Sequence, residues 1–110
     1  MKDQKVYFNQ ILDSIRKIES FIGAMDKKQF MADEKTQSAV VIQLMLIGEV
    51  SKRIDAEIKN KIDLPWKDIS GFRDKAIHHY FEIDLDLVWK TVEKDIPYLK
   101  EKIKKGLREI

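Results

Sequence analysis

The chain has 110 residues, of which 44% are hydrophobic and 36% charged, with only 4 Gly and 2 Pro. This predicts one soluble helical domain over residues 1–110 and excludes a disordered tail. The net charge of +2 is too small to indicate a nucleic-acid-binding protein by itself, and the lack of cysteine excludes disulfides and thiolate metal sites.

The N-terminal stretch, from about Asp3 to Ala24, predicts an amphipathic helix. Gly23 is placed to end it, and Asp26 with Gln29 three residues later predicts a short capped helical turn. The apolar residues recur at the three- and four-residue spacing of a buried helix face: Phe8, Ile11, Leu12, Ile15, Ile18, Ile22 and Met25.

A second helix is predicted to begin after Asp33 and to end at about Lys59. Its residues 39–47 are apolar nearly without interruption, so this helix must be covered on several sides, either at the centre of a bundle or by a second subunit. A homodimer follows as a hypothesis. Glycine in the middle of a helix costs roughly 1 kcal/mol of stability relative to alanine, so Gly48 indicates a close crossing with another helix. Glu49 is then expected to lie near the buried helix interface.

A third helical segment is predicted to open at Pro65 and Trp66. Ser70 is a candidate N-cap for a turn leading into residues 71–80, and a helix start there would offer unpaired amides to a phosphate.

Asp84 is the predicted cap of a fourth helix. Its buried stripe consists of Val88, Val92, Ile96, Leu99, Ile103 and Leu107. Pro97 predicts a kink or a break, with Asp95 as the cap of a fifth piece, and the lysine-rich tail from residue 100 is expected to fray. The elements together predict an all-α, four- to five-helix up-and-down bundle. With no apolar signal core and no apolar run near ~20 residues, the expected location is the cytoplasm, away from membranes.

Residues 71–80, Gly-Phe-Arg-Asp-Lys-Ala-Ile-His-His-Tyr, gather the chain's candidate catalytic groups. Arg73 can hold an anion, and the two histidines, His78 and His79, can move protons near neutral pH. Considered alone, Arg73 would more often form a solvent-screened ion pair, with Asp74 or Asp68 as the partner.

Arg73, His78 and Tyr80 together form the pattern R-x4-H-x-Y. On this pattern the chain resembles the HEPN-domain ribonuclease toxins, in particular the HepT-like branch encoded beside MNT nucleotidyltransferase antitoxins in type VII-like pairs. The resemblance continues, in matching order, through residues 33–37, Ile47-Gly48-Glu49, Pro65-Trp66, Val88-Trp89 and Asp95-Ile96-Pro97.

The resemblance implies a HEPN-like fold and an endoribonuclease that cuts single-stranded RNA without a metal ion or cofactor. The ribose 2′-hydroxyl would attack its own phosphate, giving a 2′,3′-cyclic phosphate and a 5′-hydroxyl. Arg73 would hold the phosphate and His78 would transfer protons, with Asp74 and Glu49 in supporting roles. His79 is the expected bystander because only His78 has the motif spacing.

The resemblance also implies that the antitoxin transfers AMP from ATP to Tyr80. The added anion would compete with the substrate phosphate by occupancy and repulsion. Asp74 departs from the asparagine that many relatives carry after the motif arginine, and it adds a negative charge where a phosphate would lie.

Helix geometry limits how one chain can bring the motif together. On a continuous helix Tyr80 would share a face with Arg73, whereas His78 would point about 140° away. The long arginine side chain, a helix start near Arg73, or pairing of two copies could restore convergence, and we favour a cleft at a two-fold interface.

Two other interpretations stay open. The chain could be a non-catalytic helical dimer that binds a nucleotidyltransferase-like partner through the motif surface, or a purely structural four-helix protein. If the chain is a non-catalytic dimer, His78→Ala should not change the integrity of RNA. If it is purely structural, Tyr80→Phe should have no consequence.

Overall fold

Seven α-helices and no β-strand form the described part of the chain, residues 3–110 of a computed structural model. The all-α prediction is therefore confirmed; the predicted domain also includes residues 1 and 2, which lie outside the described residues. A 3₁₀ turn at Tyr80–Glu82 and a π-helical turn at Thr91–Asp95 interrupt the series. The helices are α1 (Gln4–Ile22), α2 (Lys27–Met31), α3 (Glu34–Ser51), α4 (Ala56–Lys61), α5 (Trp66–His78), α6 (Leu85–Lys90) and α7 (Ile96–Glu109).

Helix α1 has the predicted limits and the predicted buried face. Asp3 caps its start by accepting a hydrogen bond from the Lys5 amide, and Gly23 ends it in a conformation with φ of +54° that side chains rarely adopt. Asp26 and Gln29 form the predicted reciprocal capping box, with hydrogen bonds of 2.8 and 2.9 Å. Fully buried on α1 are Phe8, Ile11, Ile15 and Ile18.

Helix α3 is the central helix because it packs against both α1 and α5. It runs antiparallel to α1, since the Asp55 amide just beyond α3 donates to the Gln4 side chain at the start of α1, 2.8 Å away. Helix α7 is also antiparallel to α1: Lys100 bonds Glu19, and Gly106 lies against Phe8. These relations confirm the helical bundle.

Helix α3 ends at Ser51, whereas the sequence predicted a helix to about Lys59. The Ser51 hydroxyl donates to the Gly48 carbonyl at 2.7 Å, and the amides of Arg53 and Ile54 bond carbonyls three residues back, which tightens the last turn. The chain then changes direction and buries Ile54, before the separate short helix α4.

One side of α3 remains uncovered within a single chain. Ile42 is 52% exposed and Leu46 44% exposed, although Val40 and Val41 on the same helix are buried. Leu44 and Ile47 line an open groove of about 970 Å³ that α5 and the α6–α7 run also border. The apolar character of this helix therefore exceeds what one chain covers.

The α6–α7 run stays helical through Pro97, where a kink or break was predicted. The π-helical turn at residues 91–95 precedes the proline, and Pro97 occupies the first turn of α7, where its missing amide costs nothing. Asp95 is itself helical and makes no side-chain cap, so its predicted capping role is wrong. Asp84 does cap α6, accepting bonds from two amides.

The C-terminal tail was predicted to fray, but it is packed against the rest of the bundle. Ile103 has no exposed surface, and α7 continues to Glu109. Gly106 lies so close to Phe8 and Ile62 that a Cβ atom there would stand 2.8 and 2.6 Å from them. No helix in this described part of the chain has the length and hydropathy of a membrane span.

Helix α3 crosses α5 at Gly48, as the sequence predicted. A Cβ atom on Gly48 would lie 2.7 Å from the Arg73 Cβ and 2.8 Å from the Ile69 carbonyl oxygen, and both atoms belong to the rigid part of α5. Only glycine allows this approach, so the crossing fixes the position of Arg73.

We predict that Gly48→Ala lowers the free energy of unfolding by about 1–3 kcal/mol, because its methyl group must push the two helices apart. Gly71→Ala is the matched control: it lies on α5 with no atom within 4 Å of its added Cβ. Alanine there should raise the free energy of unfolding by up to about 1 kcal/mol. Urea unfolding measures both; equal effects of the two substitutions would contradict the close crossing.

Candidate active site at the α3–α5 crossing

The R-x4-H-x-Y motif begins in the second half of α5, has its histidine at the last residue of that helix and ends on the 3₁₀ turn beyond it. Helix α5 begins at Trp66, as the sequence predicted, but the predicted N-cap role of Ser70 is wrong: Ser70 lies inside the helix, and its hydroxyl donates back to the Trp66 carbonyl at 3.1 Å. The indole of Trp66 bonds the Lys59 and Ile62 carbonyls, which anchors the start of α5 upstream of the motif. Helix-terminal amides therefore cannot bind a phosphate at Arg73.

Arg73 is held by two carboxylates. Its Nε lies 2.8 Å from a Glu49 oxygen on α3, and its Nη1 lies 3.2 Å from an oxygen of the adjacent Asp74. The side chain is 29% exposed, so the guanidinium is partly screened from water. Asp74 was one of the two partners expected for Arg73; the other, Asp68, forms no ion pair with it within residues 3–110.

Two further cations complete this arrangement, and sequence reasoning missed both. Lys52, just past the end of α3, places its Nζ 2.6 Å from the Asp74 oxygen that Arg73 also contacts. Arg53 lies 3.6 Å from the second oxygen of Glu49. We call Glu49, Lys52, Arg53, Arg73 and Asp74 the crossing cluster; its three cations and two carboxylates leave one net positive charge.

The crossing cluster changes the acidity of Asp74. The hydrogen bond from Lys52, followed by the one from Arg73, holds the pKa of the Asp74 carboxyl below its ordinary value of 3.8. Asp74 is therefore ionised at any physiological pH.

The guanidinium of Arg73 retains donors for a ligand. Nε is used by Glu49 and Nη1 by Asp74, whereas Nη2 makes no hydrogen bond or ion pair within residues 3–110. A guanidinium fixed on one side can present its remaining N–H groups in a set direction, as phosphate recognition requires.

His78 and His79 stand at the end of α5 in different roles. His78 is its last residue and is exposed. The His79 amide donates to the Lys75 carbonyl at 2.7 Å and closes the helix, and the His79 ring lies 3.6 Å from Glu82. His79 thus has a local structural partner, whereas His78 faces solvent.

Tyr80 begins the 3₁₀ turn beyond the helix. Because α5 stops at His78, Tyr80 does not continue the face of Arg73 as it would on an unbroken helix. Its ring is 43% exposed and meets the fully exposed ring of Phe81 edge-on, with centroids 5.9 Å apart. The phenol is therefore accessible from solvent.

The single chain brings together Arg73, Asp74 and Glu49 but leaves His78 and Tyr80 apart from them. Within residues 3–110 neither His78 nor Tyr80 makes a hydrogen bond or ion pair with Arg73. A helix start near Arg73 is excluded, and Glu49 directs the arginine side chain towards α3. Pairing of two copies, the third route to convergence, stays a prediction. No group of three or more potential metal ligands occurs in this part of the chain.

Comparison with known proteins connects this site to a family. The family model described as "Ribonuclease HepT-like" matches residues 11–106, which include the whole crossing cluster and the motif. No solved structure matches the chain significantly.

Curated relatives of the chain also carry ribonuclease names. The chain is 41% identical over 105 residues to "Probable ribonuclease HepT" of Thermococcus cleftensis, covering 94% of this chain and 96% of that protein. It is 33% identical over 110 residues to a candidate RNase of Caldanaerobacter subterraneus, covering 99% and 98%.

A third relative is longer. The chain is 40% identical over 110 residues to a Methanocaldococcus jannaschii protein whose name joins gamma-glutamylcyclotransferase to a candidate RNase. The match covers 99% of this chain but spans only half of that protein.

We predict that Lys52→Met raises the pKa of Asp74 towards 3.8, because it removes the main cause of the lowered pKa. A lowered carboxyl pKa stabilises the fold above the unfolded-state pKa, and this contribution disappears as the pH falls through the folded-state pKa. A carboxyl NMR titration measures the shift. Lys27→Met, which breaks the more exposed Lys27–Asp86 pair, is the control and should leave the pKa of Asp74 unchanged. An unaltered Asp74 pKa in Lys52→Met would contradict the pairing.

Proposed function

Because the chain belongs to the HepT-like ribonuclease family, we propose that it is a metal-independent endoribonuclease acting on single-stranded RNA. The observation that carries the proposal is the crossing cluster. It holds the motif arginine with Nη2 unoccupied, on the same helix as the exposed motif histidine. Residues 1–110 would form one HEPN-like domain.

The chemistry follows from what these groups can do. Arg73 binds the scissile phosphate and offsets the charge that develops on its oxygens. His78 removes the proton of the 2′-hydroxyl or protonates the leaving 5′-oxygen. The new bond joins the 2′-oxygen to phosphorus while the bond to the 5′-oxygen breaks, so a 2′,3′-cyclic phosphate and a 5′-hydroxyl result. Only RNA carries the 2′-hydroxyl that attacks.

Glu49 and Asp74 are positioning residues in this proposal. Glu49 fixes Nε of Arg73 from α3, and Asp74 fixes Nη1 from the same helix turn. Each leaves Nη2 directed to the ligand. Neither carboxylate is placed to move the proton itself, because both accept from cations.

The active unit in this proposal is a homodimer. The support is the uncovered apolar side of α3, where Ile42 and Leu46 are exposed. Covering this surface with a second copy would remove apolar area from water. It would also allow His78 and Arg73 from two chains to share one cleft.

The regulatory partner in this proposal is an MNT-type nucleotidyltransferase that acts as an antitoxin. It would transfer AMP to the phenol of Tyr80: the tyrosine oxygen attacks the α-phosphorus of ATP and pyrophosphate leaves. The support is the position of Tyr80 on an exposed turn immediately after the motif histidine. ATP and magnesium would be used by the partner.

A second candidate function is a non-catalytic helical dimer that docks a nucleotidyltransferase-like partner. The observation in its favour is that Glu49 and Asp74 already neutralise Arg73. In that case the motif surface would bind a protein and RNA would remain intact.

We expect His78→Ala to slow cleavage of a short single-stranded RNA in EDTA by about 100- to 10,000-fold, the usual contribution of a general acid or base. His79→Ala is the matched control, because His79 lies outside the motif and contacts Glu82. It should cut at nearly the rate of the unmutated protein, and mass spectrometry should find cyclic phosphate ends. Equal cleavage by the unmutated protein and His78→Ala would refute the role of His78, and no cleavage by any of the three would support the partner-binding alternative.

Tyr80→Phe should abolish transfer of AMP to this chain by an MNT-type nucleotidyltransferase, because the acceptor oxygen is gone. Incubation with ATP and magnesium followed by intact-mass measurement detects the addition of one AMP. Tyr98→Phe is the control, since Tyr98 is similarly exposed, at 49%, but lies far along the chain on α7. Modification of Tyr80→Phe at the normal extent would refute Tyr80 as the acceptor.

A further inference from the structure

Asp74 places a negative charge next to the group that is proposed to bind the substrate phosphate. Its carboxylate contacts Nη1 of Arg73, which is bonded to the same Cζ as the unoccupied Nη2. A phosphate arriving at Nη2 would come close to this carboxylate, and two like charges at such a distance repel each other. Something must offset the charge of Asp74 if the site is to bind an anion.

Lys52 is the group placed to do so. Its Nζ lies 2.6 Å from the same Asp74 oxygen that Arg73 contacts, so this oxygen is shared between two cations. The position of Lys52 follows from the fold, because it comes directly after α3, one helical turn beyond the Gly48 crossing. The close approach of α3 to α5 therefore brings a lysine from one helix to an aspartate on the other.

The pair is not explained by stability. Both side chains are substantially exposed, 37% for Lys52 and 51% for Asp74, and exposed ion pairs of this kind contribute little to folding. The chain has a similar exposed pair, Lys27 with Asp86 at 2.8 Å, on α2 and α6 away from the motif. Unlike the Lys27 pair, the Lys52 pair shares its carboxylate oxygen with the motif arginine.

We propose that Lys52 is a positioning residue for the substrate phosphate, which acts by holding the Asp74 carboxylate so that its charge does not oppose phosphate binding at Arg73. This inference rests on the proposed ribonuclease function, since it takes an RNA phosphate as the ligand. Lys52 itself does not contact the phosphate: its effect passes through Asp74.

The experiment is a double-mutant cycle on the full chain: unmutated protein, Lys52→Met, Asp74→Asn, and both substitutions together. Binding of a fluorescent 2′-O-methyl RNA, which cannot be cut because its 2′-oxygen is blocked, is measured by anisotropy at fixed salt. The cleavable RNA of the same sequence gives kcat and KM. Lys27→Met controls for the loss of one positive charge, and Lys52→Arg tests rescue by a conservative change.

In the native background, Lys52→Met should weaken binding roughly tenfold and raise KM more than it lowers kcat. In the Asp74→Asn background the same substitution should change binding by less than about twofold, because no carboxylate charge is left to hold. Lys52→Arg and Lys27→Met should bind like the unmutated protein.

Two results would overturn the inference. One is an equal loss from Lys52→Met in both backgrounds, which would mean that Lys52 contacts RNA directly or contributes only its general charge. The other is no loss in the native background. If the unmutated protein cuts RNA and either result is found, only the inference fails. If it binds RNA but cuts none, catalysis fails and the binding cycle still decides the role of Lys52; if it does not bind, both fail.

Discussion

The contact between α3 and α5 at Gly48 determines the rest of the site. Gly48 allows the Arg73 Cβ to approach so closely that a second Cβ would not fit. At this separation a carboxylate one residue after Gly48 reaches the guanidinium, and a lysine one turn later reaches the aspartate beside it. The motif arginine is thus oriented by a helix that carries none of the motif, which explains why its surroundings cannot be understood from residues 71–80 alone.

The charges of this cluster nearly cancel around the motif arginine. Arg73 is bound by two carboxylates but keeps Nη2 available, and the cluster retains a single net positive charge. A modest local charge agrees with the nearly balanced chain, whose net charge is +2. Affinity for RNA would then depend on arrangement and on assembly of two copies more than on bulk electrostatic attraction.

Much of the fold could be predicted because local signals were strong. The α1 stripe, the Asp26 capping box, the Asp84 cap and the Gly48 crossing each depend on a few neighbouring residues, and all are confirmed. The errors arose where tertiary packing decides. The early end of α3 depends on burial of Ile54, and the order of the tail depends on the fit of Gly106 against α1.

The sequence predicted most residues of the candidate site but not the ion pairs that join them. The motif spacing identified Arg73, His78 and Tyr80, and Glu49 followed from its position beside Gly48. Lys52 and Arg53 gave no sequence signal, because lysines and arginines are abundant in this chain and only the crossing selects these two. The start of α5 at Pro65 and Trp66 was predicted correctly, but Ser70 was wrongly expected to cap a turn before the motif, and its hydroxyl instead bonds the Trp66 carbonyl inside the helix.

The most direct test of this account is a crystal structure of the protein with a bound 2′-O-methyl single-stranded RNA. The account predicts a phosphate oxygen within about 3 Å of Arg73 Nη2, with Nε still on Glu49 and with His78, from the same chain or a second copy, beside the blocked 2′-oxygen. An RNA bound elsewhere, with the crossing cluster unchanged and no phosphate near Arg73, would contradict it.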